Sequence, residues 1–155
     1  MKHPVLAWCA MGLAIAALAS PASAATRNHD AWRNPSGSVQ VQAHPCGEAI
    51  CGTVIWASAK ARADVANAGS GELVGAQLFK DFVQDGEDRV RGEVFVPDIR
   101  RTFSGTVTLV NPDTARARGC LVGRVGCRSQ DWTRIPRDQL APEARAAAER
   151  LAPRP

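Results

Sequence analysis

The chain has 155 residues, 45% of them hydrophobic, with a formal net charge of +4 and no tyrosine. That length suits one domain, and a chain of this size buries roughly two-thirds of its unfolded surface on folding. The positive charge comes mostly from scattered arginines (Arg62, Arg89, Arg91, Arg116, Arg118, Arg124, Arg128); with no basic stripe and interleaved aromatics, nucleic-acid binding is not expected, and only a weak attraction to anionic envelope surfaces stays open.

The N-terminus has the layout of a secretory signal peptide. Lys2 precedes an uncharged apolar run from Val5 to Ala19, which ends in Ser20-Pro21-Ala22-Ser23-Ala24, with small residues at Ala22 and Ala24. Residues 1–24 are expected to be removed and the mature protein to be periplasmic or secreted. A membrane anchor is the alternative, but a span needs about 20 apolar residues, and this run is shorter and broken by Pro21. Cys9 lies too near the start of the run to be a lipidation site. No second membrane-length segment follows, so no transmembrane anchor is expected in the mature protein.

Removal of Cys9 leaves Cys46, Cys51, Cys120 and Cys127. An even set in an exported chain reads as a disulfide framework. Of the three connectivities, Cys46–Cys51 and Cys120–Cys127 are favoured because each pair flanks a short glycine-bearing turn. A zinc site from His44, Cys46 and Cys51 has loose spacing, and thiols in an oxidising compartment would pair instead. A redox-active pair lacks the Cys-x-x-Cys spacing.

After a polar lead-in holding Trp32, Val39, Val41 and Ala43 alternate with Gln40, Gln42 and His44, the period of a half-buried strand. Cys51 to Ala57 is a second strand, and Lys60 to Gly71 a long loop with at most a helical turn. Leu73 to Val83 is a strand with Gly75 as a bulge, turned by Asp85-Gly86. Val90 to Val96 and Phe103 to Leu109 alternate cleanly. Ala115 to Val122 and Cys127 to Ile135 complete the strands, and Pro142 to Leu151 is a terminal helix opening with proline. The expectation is an all-β domain over residues 25–135: a small up-and-down barrel of about eight strands, with an open β-sandwich as the alternative. Residues 136–155 would form the short helix and a Pro-rich tail.

The segments Cys46-Gly47-Glu48-Ala49-Ile50-Cys51-Gly52 with Trp56, Asp64-x-x-Asn67, Gly92-Glu93-Val94-Phe95-Val96-Pro97, Phe103-Ser104-Gly105, Arg118-Gly119-Cys120 and Cys127-Arg128-Ser129-Gln130-Asp131-Trp132-Thr133-Arg134 together resemble the bacterial domain-of-unknown-function 2147 family. The resemblance runs from Trp32 to Ile135 and implies an exported bacterial domain without a settled activity. The chain departs from the family pattern at Ala31 and Ala68. Phe95 and Phe103 stand in place of tyrosines, and Arg100-Arg101 lies in a turn that usually carries glycine. Trp32 and Arg134 also resemble the Trp–Arg pair of lipocalin-like barrels, where an arginine over an indole face closes the barrel floor and contributes about 0.5–1 kcal/mol.

No metal cluster, phosphate loop or serine elbow is visible, and no cofactor is implied. His44 beside Cys46 is a weak nucleophilic pair, because an oxidised cysteine cannot attack. His29 falls in the lead-in. Asp85, Glu87 and Asp88 read as a solvated hairpin tip rather than a glycosidase pair. Asp64 and Asn67 either line a mouth or cap a helical turn. Trp56 and Trp132 are core or rim aromatics with a possible ligand-stacking role. The leading functional expectation is a non-enzymatic periplasmic domain holding a small apolar or amphipathic ligand, with Trp56, Asp64, Asn67 and Trp132 at its mouth. The alternative is a protein-interaction module, such as an inhibitor of an envelope hydrolase, presenting the two stapled loops. An enzyme on envelope polymers ranks last.

Overall fold

A computed structural model describes residues 29–123 and 125–152. The expected signal peptide, with its cleavage site and Cys9, lies outside the described residues, as do the last three residues of the tail. Eight strands form: β1 (Ala31–Arg33), β2 (Val39–Cys46), β3 (Ala49–Ala57), β4 (Gln77–Gln84), β5 (Arg89–Val96), β6 (Arg101–Asn111), β7 (Thr114–Cys120) and β8 (Arg128–Ile135). Each pairs antiparallel with the next, and β1 also pairs with β8, so the sheet closes in chain order into an up-and-down barrel. The β1–β8 seam sets aside the open sandwich.

The period-2 pattern selects which residues face inward. Val41 opposes Val54 across β2 and β3, Val90 opposes Val107 across β5 and β6, and Ala115 opposes Trp132 across β7 and β8. Three glycines form a row across the wall, Gly92 opposite Gly105 and Gly105 opposite Gly119. Gly92 and Gly105 make room for a ring: a Cβ on Gly92 would lie 2.5 Å from the Lys80 carbonyl and 2.7 Å from Phe82 Cδ2, and one on Gly105 3.6 Å from Phe82 Cζ. Phe82 thus packs over backbone, where any larger residue would clash.

The segment after β3 forms a full helix, α1 (Ala59–Asn67), rather than a loop. Ser58 starts it, its Oγ accepting from the Ala61 N–H at 3.2 Å, the standard way to satisfy a helix's first free donors. Val65 of α1 and Leu73 beyond it are buried together with Val41, Val54 and Trp132. They plug the barrel end where β3 finishes and β4 begins. Gly75, expected as a strand bulge, precedes β4 in the connecting loop with φ +92°. The β4 irregularity falls instead between Lys80 and Val83, where Asp81 takes φ +52°.

The second helix, α2 (Pro142–Leu151), starts with proline at its first turn, as its sequence predicts. It lies on the outside of the wall. Ala144, Ala147 and Ala148 pack on Ala31, Ile55, Ile135 and Leu140, and Ala144 is fully buried. Small side chains let the helix approach the sheet closely. Fully burying one aliphatic residue such as Ile55 contributes about 1.5–3 kcal/mol.

Candidate functional site

The inward side chains do not fill the barrel. A cavity of about 240 Å³ runs from its middle to the end that carries the β4–β5 turn. Four aromatics line it: Trp32 of β1, Phe79 and Phe82 of β4, and Trp132 of β8. Phe79 sits at the centre of this group, its ring edge-on to Phe82 (centroids 5.7 Å apart) and to Trp132 (5.5 Å). Such edge contacts hold rings in one arrangement and give about 0.5–1.5 kcal/mol each beyond burial. Val90, Val107 and Leu109 of β5 and β6 add an aliphatic part of the wall. The empty volume has a sequence cause. Inward positions of β7 are Ala115 and Ala117, and Ala43 of β2 also lines the void. Too little side chain is present there to reach the aromatics.

Polar lining is confined to the mouth, where Gln84, Glu87, Asp88 and Arg89 all belong to the β4–β5 hairpin. Arg89 is already held by Asp85, its Nε 3.2 Å from the carboxylate and donating to the Asp85 carbonyl at 2.9 Å. The Cys46–Cys51 disulfide closes the β2–β3 hairpin at this same end. Cys51 is 2% exposed and forms part of the cavity wall. With the two sulfurs bonded to each other, neither is a thiolate for a metal or a nucleophile. His44 is engaged elsewhere, by Thr53 Oγ1 at 2.9 Å.

The structure separates the residues expected to share one mouth. Trp132 lines the cavity. Trp56 does not: an extra residue, Ile55, shifts the β2–β3 register, so Trp56 opposes Gln40 and packs outside with the α2 cluster. Asp64 and Asn67 are exposed on α1, at the plugged end rather than the mouth. Asp64 pairs with Lys60 (2.7 Å), and Ser58 is the cap. The expected mouth set is corrected accordingly: Phe79, Phe82, Glu87 and Asp88 stand where Trp56, Asp64 and Asn67 were expected.

Trp32 and Arg134 face each other in register across the β1–β8 seam. The guanidinium of Arg134 is taken by Asp113 of the β6–β7 turn, with Nη2 2.9 Å and Nε 3.0 Å from Oδ1. This end is the open one, so the pair stands at a rim and not on a sealed floor. The second expected disulfide, Cys120–Cys127, joins β7 and β8 at the opposite end. No helix among the described residues is long and apolar enough to cross a membrane.

A family model described as "Uncharacterized protein conserved in bacteria (DUF2147)" matches residues 31–134, from the first residue of β1 to the penultimate residue of β8. No curated protein and no solved structure matches significantly. The matched stretch is the whole barrel wall but for one residue, and the chain belongs to the DUF2147 family.

Proposed function

We propose that this protein is an exported, non-enzymatic carrier or sensor that holds one small apolar or amphipathic molecule inside its barrel. The observation that carries the reading is the aromatic-lined void of about 240 Å³. Water gains little from an apolar wall, and an engineered apolar cavity of about 150 Å³ stays dry and takes up benzene. A single substituted ring or a short acyl chain matches the larger volume here. Its polar end would sit among Gln84, Glu87 and Asp88 at the mouth, the arrangement expected of ligand pockets with few polar groups. Export to the periplasm is supported by the signal-peptide pattern and by two disulfides, which persist in oxidising compartments. The non-enzymatic reading rests on the position of the polar lining, which among the described residues falls on the one hairpin, Gln84, Glu87, Asp88 and Arg89.

Native mass spectrometry of protein purified from its source tests the reading, together with quenching of tryptophan fluorescence by small aromatic and short-chain fatty acids. A bound small molecule, or saturable quenching, is expected. The variant Ala117→Leu fills the void and should weaken probe binding by at least tenfold while still folding. Absence of both adduct and quenching in folded protein would overturn the reading, and so would undiminished probe binding by Ala117→Leu.

A further inference from the structure

The plugged end of the barrel carries a feature that ligand binding does not use. Beyond Cys120 the β7–β8 hairpin projects past the wall, and its apolar side chains face water: Leu121 is 62% exposed, Val122 76% and Val125 74%. Solvent-facing apolar side chains are ordinary when scattered. Here three sit within five residues, and Ile99 in the neighbouring β5–β6 turn is also exposed. The hairpin is fixed by the Cys120–Cys127 bond at its base and by the Val122–Val125 bridge at its tip, where Val125 N–H donates to the Val122 carbonyl at 2.8 Å.

Three arginines lie near its base, with Asp98 the acid of the neighbouring β5–β6 turn. Arg118 and Arg128 flank the staple on β7 and β8, and Arg101 opens β6, the next strand. All three are exposed, and among the described residues none is in an ion pair, whereas Arg116 and Arg134 on the same sheet are held by Asp131 and Asp113. Exposed apolar side chains ringed by uncommitted arginines match a surface that offers hydrocarbon beneath anionic headgroups. We propose that this end docks on anionic phospholipid bilayers. Leu121, Val122 and Val125 enter the interface, and Arg101, Arg118 and Arg128 hold headgroup phosphates. The cavity mouth then faces away from the membrane.

Flotation of the oxidised protein with vesicles of phosphatidylglycerol and phosphatidylcholine, against phosphatidylcholine alone, tests this. Binding to the anionic vesicles is expected, falling as salt rises. The triple variant Leu121→Ser, Val122→Ser, Val125→Ser should lose binding at least tenfold. Arg118→Gln and Arg128→Gln should each lose about fivefold at low salt. The altered side chains are exposed, so thermal melting should stay unchanged and confirm folding. No binding to anionic vesicles, equal binding to neutral ones, or undiminished binding by the triple variant overturns the proposal. Self-association that the serine variant abolishes, without vesicle binding, would also overturn it and give the tip to a second copy of the chain. None of these outcomes depends on whether the cavity holds a ligand.

Discussion

Both ends of the barrel carry hairpins and one disulfide, but the filled end also carries α1, and the ends differ in charge and packing. At the open end the turns 47–48, 85–88 and 112–113 carry Glu48, Asp85, Glu87, Asp88 and Asp113 and no lysine or arginine. Its staple is turned inward, and Cys51 is part of the cavity wall. At the other end Val65 and Leu73 fill the barrel, and the staple supports an exposed apolar tip with arginines at its base. One end lines a cavity with apolar side chains and carries acids in its turns; the other presents an apolar hairpin tip with arginines at its base. Similar bridges thus serve a lining at one end and a projection at the other.

A matched pair of substitutions probes the packing difference most strongly. Leu73→Ala removes a side chain that is 3% exposed in the filled end and should cost about 2–5 kcal/mol. Leu109→Ala removes one from the wall of an existing void and should cost clearly less, because no new cavity has to be created. Urea unfolding under oxidising conditions measures both, and equal losses would break the comparison. Next come the staples. Replacing either cysteine pair with serine should lower stability by about 2 kcal/mol, since each bridge closes a short loop. Only the Cys46/Cys51 variant should alter probe binding, because only that bridge touches the cavity.

A smaller effect lies at the filled end. Arg100 ends the 3-10 turn Pro97–Ile99 in the left-handed region, φ +53°. Glycine adopts that conformation without a Cβ penalty, so Arg100→Gly should raise stability by about 0.5–1 kcal/mol in the same unfolding assay. A loss of stability would mean that the guanidinium makes a contact worth more than the strain. The smallest effect belongs to the wall between the ends, where Arg116 holds Asp131 through two hydrogen bonds of 2.7 and 2.8 Å. The guanidinium keeps the Asp131 carboxyl below its usual range. The pair therefore stabilises above the ordinary aspartate pKa and stops doing so as pH falls through the lowered folded value. The melting-temperature difference between the wild type and Asp131→Asn should vanish in acid and shrink with salt, as for any exposed pair.

The wall was legible wherever alternation ran unbroken. Val90 to Val96 and Phe103 to Leu109 lie inside β5 and β6, and the proline-led helix has the expected limits. Legibility failed where one residue changes the count. Strict alternation after Val54 sends Trp56 into the barrel; the inserted Ile55 sends it out. Bulges of this kind leave little mark in a single sequence. β1 was hidden for another reason, since three residues are too few to show a period. The sequence of α1 reads as loop because a run of alanines and charges buries a single residue, Val65. The cavity is the property least visible in sequence. It depends on how far side chains reach across the barrel, and Ala115 and Ala117 look like ordinary strand residues until their partners across the void are known.

The shortness of β1 has a kinetic consequence. From β2 to β8 every pairing joins neighbours in the chain, so that meander can zip up through local loops. The β1–β8 seam is different: it brings Trp32 to Arg134 and must pay the closure entropy of nearly the whole domain for three residues of ladder. Ring closure should therefore come last in folding and open first in fluctuation. Pulsed hydrogen exchange during refolding would then find the amides of Ala31–Arg33 protected after those of β5 and β6. Simultaneous protection would show instead that the ring forms in one step.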